Sequence, residues 1–191
     1  METSIDIAKA FSNDKKHQET IDTCNQILAT EPNSIEALKL IAKSLLATKQ
    51  IEDARLYLNQ ALTLKPDDYE VIKDLGNTFL AAGDTQTAKQ YYQQAISINT
   101  SYAPALTNLG SLELSTGNKQ EALNLLIKAT QSDPLLAVAW EKLANTYLQL
   151  NKLENAETSF QQAIQLNPNL FNSHFLLAEV LLKQKKLQEA E

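Results

Sequence analysis

A spacing of 34 residues between prolines is the feature that most constrains the fold of this chain. Pro32, Pro66, Pro134 and Pro168 are separated by 66 − 32 = 34, 134 − 66 = 68 and 168 − 134 = 34 residues. The middle interval is two periods, so one marker is missing where Thr100 stands. Because proline cannot continue a helix, the spacing predicts helix ends at regular intervals. A fixed period of this length is typical of repeat architectures.

Other columns share this period when the repeats begin at residues 1, 35, 69, 103, 137 and 171. The eighth position is always alanine or glycine, which lets two helices approach closely. Each repeat predicts two helices of about 13 residues. Between them, at the fifteenth and sixteenth positions, stand Gly83-Asp84 and Gly117-Asn118, and glycine at this place stops a helix. Large residues at the twenty-fourth position fill the space between the helices: Leu58, Tyr92, Leu126 and Phe160.

The fifth repeat, which contains the stretch AWEKLANTYLQL, resembles the tetratricopeptide repeat family most clearly. The resemblance covers the whole chain, although the first repeat has Thr20 and Cys24 in key columns and the fourth has Glu113 where a bulky apolar residue is expected. It implies an all-α, right-handed superhelical solenoid of antiparallel helix pairs, with a concave surface lined mainly by the first helix of each repeat. The signature columns hold Trp140, Leu143, Ala144 in place of the usual glycine, Tyr147, Ala156, Phe160 and Pro168.

The resemblance predicts one solenoid over residues 1–191. About three or more repeats are needed, because one helix pair cannot bury both of its apolar faces. We expect the sixth repeat to complete its first helix and to stop about one turn into the second helix. The predicted repeats are 1–34, which is a degenerate N-terminal cap, then 35–68, 69–102, 103–136, 137–170, and 171–191, which is a partial sixth repeat or a capping helix.

Composition and charge exclude several classes of protein. The chain is 43% hydrophobic and 21% charged, which is typical of a chain that buries a core. A formal net charge of -6 argues against binding to nucleic acid, which needs a basic face. The sequence has no apolar run long enough to span a membrane and no N-terminal pattern of a signal peptide. With a single cysteine, Cys24, these features predict a cytoplasmic protein.

The sequence predicts no enzyme, no cofactor and no metal site. His17 and His174 lie in the first and sixth repeats, too far apart in a solenoid to share a metal ion. Cys24 falls in a packing column and has no evident base beside it, as a catalytic thiol requires. A glycine-rich phosphate-binding loop is also absent from the sequence.

The candidate site is the face formed by positions 2, 5, 9 and 12 of the first helices, which are spaced to share one side of a helix. In the family these positions face the ligand. Position 12 is leucine in the second to sixth repeats, and these leucines either pack between neighbouring helices or form an apolar groove floor. Lysines lie in the N-terminal half, and Glu141 and Glu179 in the C-terminal half, which either orient a ligand or form a solvated face. The predicted partner-binding residues are Lys39, Lys43, Leu46, Lys73, Asn77, Leu80, Asn108, Leu114, Lys142, Asn145 and Leu148.

Four of these residues resemble the carboxylate clamp of tetratricopeptide co-chaperones, which holds the C-terminal carboxylate of a peptide. Lys73, Asn77, Asn108 and Lys142 match columns of that clamp, since charged donors bind carboxylates strongly. Val138 stands in the remaining cation column, so the clamp is incomplete. Asparagine is common at these columns throughout the family, which leaves the two lysines as the informative matches.

The function that the sequence favours is a non-catalytic scaffold that binds a peptide, tail or helix of a partner protein in the concave groove. One alternative is a targeting or substrate-recruiting arm of a larger enzyme, resembling those beside glycosyltransferase and sulfotransferase domains, that has been truncated at residue 191. Another is a self-assembling module that associates through its C-terminal helix, where Leu176, Leu177, Val180 and Leu181 offer apolar surface.

Overall fold

The computed structural model describes the backbone of residues 3–188 and the side chains of residues 3–185. These residues form α-helices joined by short turns and contain no strand, which confirms the all-α prediction. The helices are α1 (Ser4–Asn13), α2 (His17–Thr30), α3 (Ile35–Ala47), α4 (Ile51–Leu64), α5 (Tyr69–Ala81), α6 (Thr85–Ile98), α7 (Ala103–Ser115), α8 (Lys119–Ser132), α9 (Ala137–Gln149), α10 (Leu153–Leu166) and α11 (Phe171–Gln188).

The helices form two compact bodies, Met1–Ile98 and Asn99–Glu191. Within each body consecutive helices pack against one another. The odd-numbered helices from α3 onwards begin at the first residue of a predicted repeat, namely Ile35, Tyr69, Ala103, Ala137 and Phe171.

A residue in the left-handed region ends the first helix of every pair from α1–α2 to α9–α10. In the second pair, the N–H of Lys49 donates to the carbonyl of Leu46 at 3.1 Å, and the N–H of Gln50 to that of Leu45 at 2.8 Å. This arrangement, a Schellman motif, satisfies carbonyl groups at the helix end. The sequence predicted it only at the two glycines. The five residues and their φ values are Lys15 (59°), Lys49 (63°), Gly83 (85°), Gly117 (88°) and Asn151 (57°).

The glycines at the eighth position allow the predicted close approach of helices within a pair. A Cβ atom placed on Gly76 would lie 2.7 Å from Cε1 of Tyr92, whose side chain is fully buried. A Cβ atom on Gly110 would lie 2.7 Å from Cγ of Leu126. Both distances are too short for a real contact, so the large residue at the twenty-fourth position packs where only a glycine leaves room.

Glu113, which departs from the family pattern, is buried at the end of α7. Its Oε2 accepts a hydrogen bond of 2.7 Å from Nδ2 of Asn118, which follows the left-handed Gly117. A buried carboxylate without a partner would be costly. Here a side chain of the next turn supplies one, and this explains how the fourth repeat accommodates an acidic residue in a packing column.

The predicted end of the last repeat's first helix is wrong, because α11 continues as one helix from Phe171 to Gln188. The break expected near residue 185 does not occur. The stretch Lys183–Gln188 consists of lysine, glutamine and leucine, which favour helix, and it has no glycine or asparagine to end one. The expected turn into a second helix would fall partly on residues 189–191, outside the described residues.

Replacing Lys49 by glycine is expected to raise the free energy of unfolding by about 0.5–1 kcal/mol. A side chain in the left-handed region costs about 1–2 kcal/mol, which the added flexibility of unfolded glycine offsets in part. The measurement is urea-induced unfolding followed by circular dichroism. Lys152→Gly is the matched control. Lys152 is exposed like Lys49, but it stands at the start of a helix with a φ of −90°, which is outside the left-handed region. Equal effects of the two substitutions would contradict the account.

Candidate functional site

The first helices of the second and third repeats enclose a pocket of about 600 Å³, which we call the α3–α5 pocket. It brings together five of the predicted partner-binding residues. Its lining is Glu36, Lys39, Leu40, Lys43, Leu46 and Ala47 from α3, with Glu70, Lys73, Asp74 and Asn77 from α5.

The start of α5 is fixed by Asp68, a buried N-cap residue that precedes the helix. Its Oδ1 accepts hydrogen bonds from the backbone N–H groups of Glu70 at 3.1 Å and Val71 at 3.2 Å. Such a cap satisfies donors that the first helical turn leaves free. Because the register of α5 is fixed in this way, Glu70, Lys73 and Asn77 lie on the side that lines the pocket.

The ionisation of Asp68 is coupled to this structure. Burial alone would raise its pKa, but the hydrogen bond from Val71 and the positive charges of Lys39 and Lys65 hold the pKa below its ordinary value. Lys65 Nζ lies 3.3 Å from Asp68 Oδ2. A carboxyl group with a lowered pKa in the folded state stabilises the fold in its ionised form.

The pocket contains as many carboxylates as lysines. Lys39 forms an ion pair with Glu70, and Lys73 forms one with Asp74. Burial acts to lower the pKa of Lys39, but its hydrogen bond to Glu70 and nearby negative charges raise that pKa above the ordinary value. Glu36 also forms an ion pair, but with a lysine that does not line the pocket: its Oε1 lies 3.4 Å from Nζ of Lys9.

These carboxylates were not predicted, because only lysines were considered in the N-terminal half of this face. Glu36 and Glu70 stand at position 2 of their repeats, one of the columns predicted to face the groove, so the sequence contained the signal. Asp74 lies outside those columns. It comes into the site because it pairs with Lys73 and accepts a hydrogen bond of 3.0 Å from Nδ2 of Asn77.

The predicted clamp residues of the N-terminal body already contact neighbouring side chains. Asn77 donates to Asp74, and its Oδ1 accepts a hydrogen bond of 2.9 Å from the hydroxyl group of Tyr92. Lys73 is paired with Asp74. Lys43 differs from them, because it is exposed and makes no ion pair or hydrogen bond with any residue in the described range 3–188.

The remaining predicted residues of the site are distributed over three helices. Leu80 is 40% exposed at the end of α5, whereas Leu46 is half-buried and packs against the core of the N-terminal body. In the C-terminal body, Leu148 is half-buried against the core beneath α11. The leucines at position 12 therefore differ: Leu46 and Leu148 pack against a core, and Leu80 reaches the surface. Also half-buried in that body are Asn108 and Leu114 on α7, and Lys142 and Asn145 on α9.

The clamp hypothesis places two residues in each body. Lys73 and Asn77 belong to the N-terminal body, and Asn108 and Lys142 to the C-terminal body. Lys142 Nζ lies 3.9 Å from Oε2 of the neighbouring Glu141. The carboxylate clamp stays a prediction.

The residues considered for catalysis or metal binding make contacts within the fold. Cys24 is fully buried, and this burial, with the charge of Glu36, raises the pKa of its thiol to about 11. His174 is exposed, and its Nε2 lies 3.0 Å from the carbonyl oxygen of Pro168. Among residues 3–188, no group of three or more His, Cys, Asp or Glu is arranged to hold a metal ion.

No helix among residues 3–188 combines the length and apolar character needed to cross a membrane.

Family models match nearly the whole chain. Residues 68–191 match the Cilia and flagella-associated protein 70 C-terminal domain, and residues 14–76 match the Tetratricopeptide repeat. The chain belongs to the tetratricopeptide repeat family. No curated protein matches it significantly.

Solved structures show the same fold. TTC0263, a thermophilic TPR protein of Thermus thermophilus, is 18% identical with a TM-score of 0.81, covering 94% of this chain and 97% of its own. In the APC/C hetero-tetramer Cut9-Hcn1, a chain 20% identical gives a TM-score of 0.87, covering 95% of this chain but 36% of its own. YrrB, a TPR protein with an unusual peptide-binding site, is 19% identical, with a TM-score of 0.58, covering 91% and 89%.

Removing the charge of Asp68 is expected to destabilise the fold in a pH-dependent way. Its folded-state pKa lies below the unfolded value of about 3.9, so its stabilising effect is present above that pH and is lost as the pH falls through the folded-state pKa. Asp68→Asn keeps a capping side chain but loses the charge. Urea unfolding should show a lower stability than wild type at pH 7 and a much smaller difference at pH 3. Asp67→Asn, an exposed neighbour, is the control and should show no such pH dependence.

Proposed function

We propose that this chain is a non-catalytic scaffold that binds a segment of a partner protein, with the α3–α5 pocket as its main anchoring point. The observation that carries the proposal is the exposed, unpaired Lys43 beside the apolar residues Leu40, Leu46 and Ala47. The other two lysines of the pocket are neutralised by carboxylates. A similar fold in YrrB, which is described as having an unusual peptide-binding site, supports a peptide as the ligand.

The chemistry of the pocket favours a ligand carboxylate next to an apolar side chain. Lys43 can pair with the carboxylate, while the apolar residues beside it bury the neighbouring side chain. Binding at Lys73 and Asn77 would require a ligand to compete with Asp74 for both donors. For this reason we place the primary contact at Lys43. The alternative of an arm that recruits substrate for a catalytic domain stays a prediction from the resemblance.

Reversing the charge of Lys43 is expected to weaken binding at least tenfold, which corresponds to a loss of about 1.4 kcal/mol. Peptides are first selected from a random phage-displayed library with the wild-type chain, then measured by fluorescence anisotropy. We compare Lys43→Glu, and the groove variant with Leu80→Asp and Leu114→Asp, with a control. The control is Lys128→Glu, which reverses the charge of an exposed lysine on α8. Wild-type affinity in Lys43→Glu, or a selection that enriches no peptide, would contradict the proposal.

A second candidate function is self-association through α11. Of the four residues that the sequence suggested for this role, Leu176, Leu177 and Val180 pack in the core of the C-terminal body, whereas Leu181 is 44% exposed. The exposed apolar face consists of other residues, spaced by 4, 3 and 4 along the helix: Phe171, which is 80% exposed, Phe175 at 70%, Ala178, and Leu182 at 61%.

This exposed face of α11 is complementary to itself. In an antiparallel pairing of two copies, Phe175 lies over Ala178 of the second copy, and Phe171 over Leu182, because each pair has the same midpoint in the sequence. Ala178 leaves room for the ring of Phe175, and both contacts occur twice by symmetry. A second copy is thus the occupant that this pattern fits best.

Phe175→Glu is expected to abolish self-association, because it places a charge at the centre of the paired helices. Sedimentation velocity over a hundredfold range of concentration measures the mass of both proteins. Leu135→Glu is the control, since Leu135 is 78% exposed but lies in a turn outside α11. A wild-type mass that stays monomeric at every concentration would exclude this function.

A further inference from the structure

A second, unassigned feature lies on the second helices of the N-terminal body. Position 22 of the repeats is exposed and polar in four cases, which are Asp22, Gln90, Asn124 and Thr158. The second repeat has Leu56 instead, and 68% of this residue is exposed to solvent. A large apolar side chain in an otherwise polar, outward-facing column has no role in packing its own repeat.

Leu56 lies at a pocket of about 430 Å³ between α2 and α4, which we call the α2–α4 pocket. The side chains of α3 form its floor. None of its residues belongs to the α3–α5 pocket. Most of the lining is apolar or uncharged: Ile21 from α2, Ile41 and Leu45 from α3, and Asp53, Leu56, Tyr57 and Gln60 from α4.

Comparison with the next gap along the same body shows why this pocket exists. Between α4 and α6, Phe79 stands at the position equivalent to Leu45, and its ring stacks on Tyr91 with a centroid distance of 5.2 Å. Arg55, which is equivalent to Ile21, places its guanidinium group 4.2 Å from the centroid of Phe79. These large side chains fill the space. At the α2–α4 pocket, leucine and isoleucine are smaller and leave the space open.

The charge of the α2–α4 pocket is negative. Asp53 lines it and forms no ion pair with any residue that the structure describes, and the lining includes no lysine or arginine. An apolar ligand group that enters here therefore lies beside the carboxylate of Asp53.

We propose that the α2–α4 pocket is a docking site for an amphipathic helix of a partner protein. The helix inserts a large apolar side chain between Leu56, Leu45 and Ile21, and places a lysine or arginine residue beside Asp53. Apolar grooves between helices bind the apolar face of a further helix, and a buried anchor side chain carries most of the affinity. Opposite charges at the rim select a basic helix over an acidic one.

The probe is a fluorescein-labelled amphipathic peptide of leucine and lysine, about 14 residues or four helical turns long. A second peptide has the same leucines with glutamate in place of lysine. Anisotropy should show saturable binding of the lysine peptide and at least tenfold weaker binding of the glutamate peptide. Leu56→Gln, which restores the polar character of the column, should weaken binding of the lysine peptide about tenfold, and Asp53→Asn about threefold.

Two controls separate this site from general attraction to an acidic chain. Leu135→Gln removes another exposed leucine, and Glu121→Gln removes another exposed carboxylate, and both should bind the lysine peptide as wild type does. Methyl NMR should show the largest shifts at Ile21, Ile41, Leu45 and Leu56. The proposal is overturned by shifts confined to other methyl groups, by wild-type affinity in Leu56→Gln, or by the absence of saturable binding.

Filling the pocket is a further test. Leu45→Phe reproduces the arrangement at Phe79, so the ring is expected to occupy the space and to reduce peptide binding at least tenfold without loss of helical circular dichroism. If this variant folds and still binds at wild-type affinity, the pocket is not the site. If it does not fold, Leu56→Gln, a change at an exposed position, decides the question.

Discussion

The close approach of the two helices within each pair is the constraint on which the rest of the structure depends. It is set by a small residue at the eighth position facing a large one at the twenty-fourth, as between Gly76 and Tyr92. Buried side chains pack almost as densely as crystals, so the size of one residue limits that of the other. The pairing also fixes which faces remain on the outside. The lysines of α3 that line the α3–α5 pocket and the exposed Leu56 of α4 both lie on faces that this packing leaves on the outside.

The two proposed sites lie on different helices of the N-terminal body. The α3–α5 pocket is built from first helices and contains compensated charges, with Lys43 left unpaired. The α2–α4 pocket lies between second helices, with an apolar lining and an uncompensated Asp53. A pocket with paired charges discriminates among ligands by geometry and desolvation, whereas an apolar pocket derives affinity from burial. One small body thus offers two surfaces with different physical preferences, on helices that alternate along the chain.

Much of the fold could be predicted because it is repeated. Proline spacing and the small eighth position indicated the helices and their boundaries, and the structure confirms a fold of helices alone over the residues it describes. Properties that depend on contacts between particular side chains were harder to predict. The pairing of Lys73 with Asp74 follows from side-chain geometry, not from column position. The α2–α4 pocket arises from the combined sizes of residues on three helices, so Leu45 looked like an ordinary core residue. The continuous α11 shows that the register of a repeat does not by itself end a helix.

Different residues form the left-handed turns along the chain, and this affects where the chain begins to unfold. Glycine adopts this conformation without strain, and asparagine tolerates it, but Lys15 and Lys49 do not. The strained turns therefore belong to the first two helix pairs. In repeat proteins each pair is stabilised chiefly by its neighbours, and partial unfolding spreads from the weakest pair. The N-terminal pairs are the natural starting point for such opening, and they carry the α2–α4 pocket and the α3 side of the α3–α5 pocket. A partner bound across these pairs would stabilise their folded state and slow their amide hydrogen exchange. Binding of the partner and the local stability of these pairs are therefore linked.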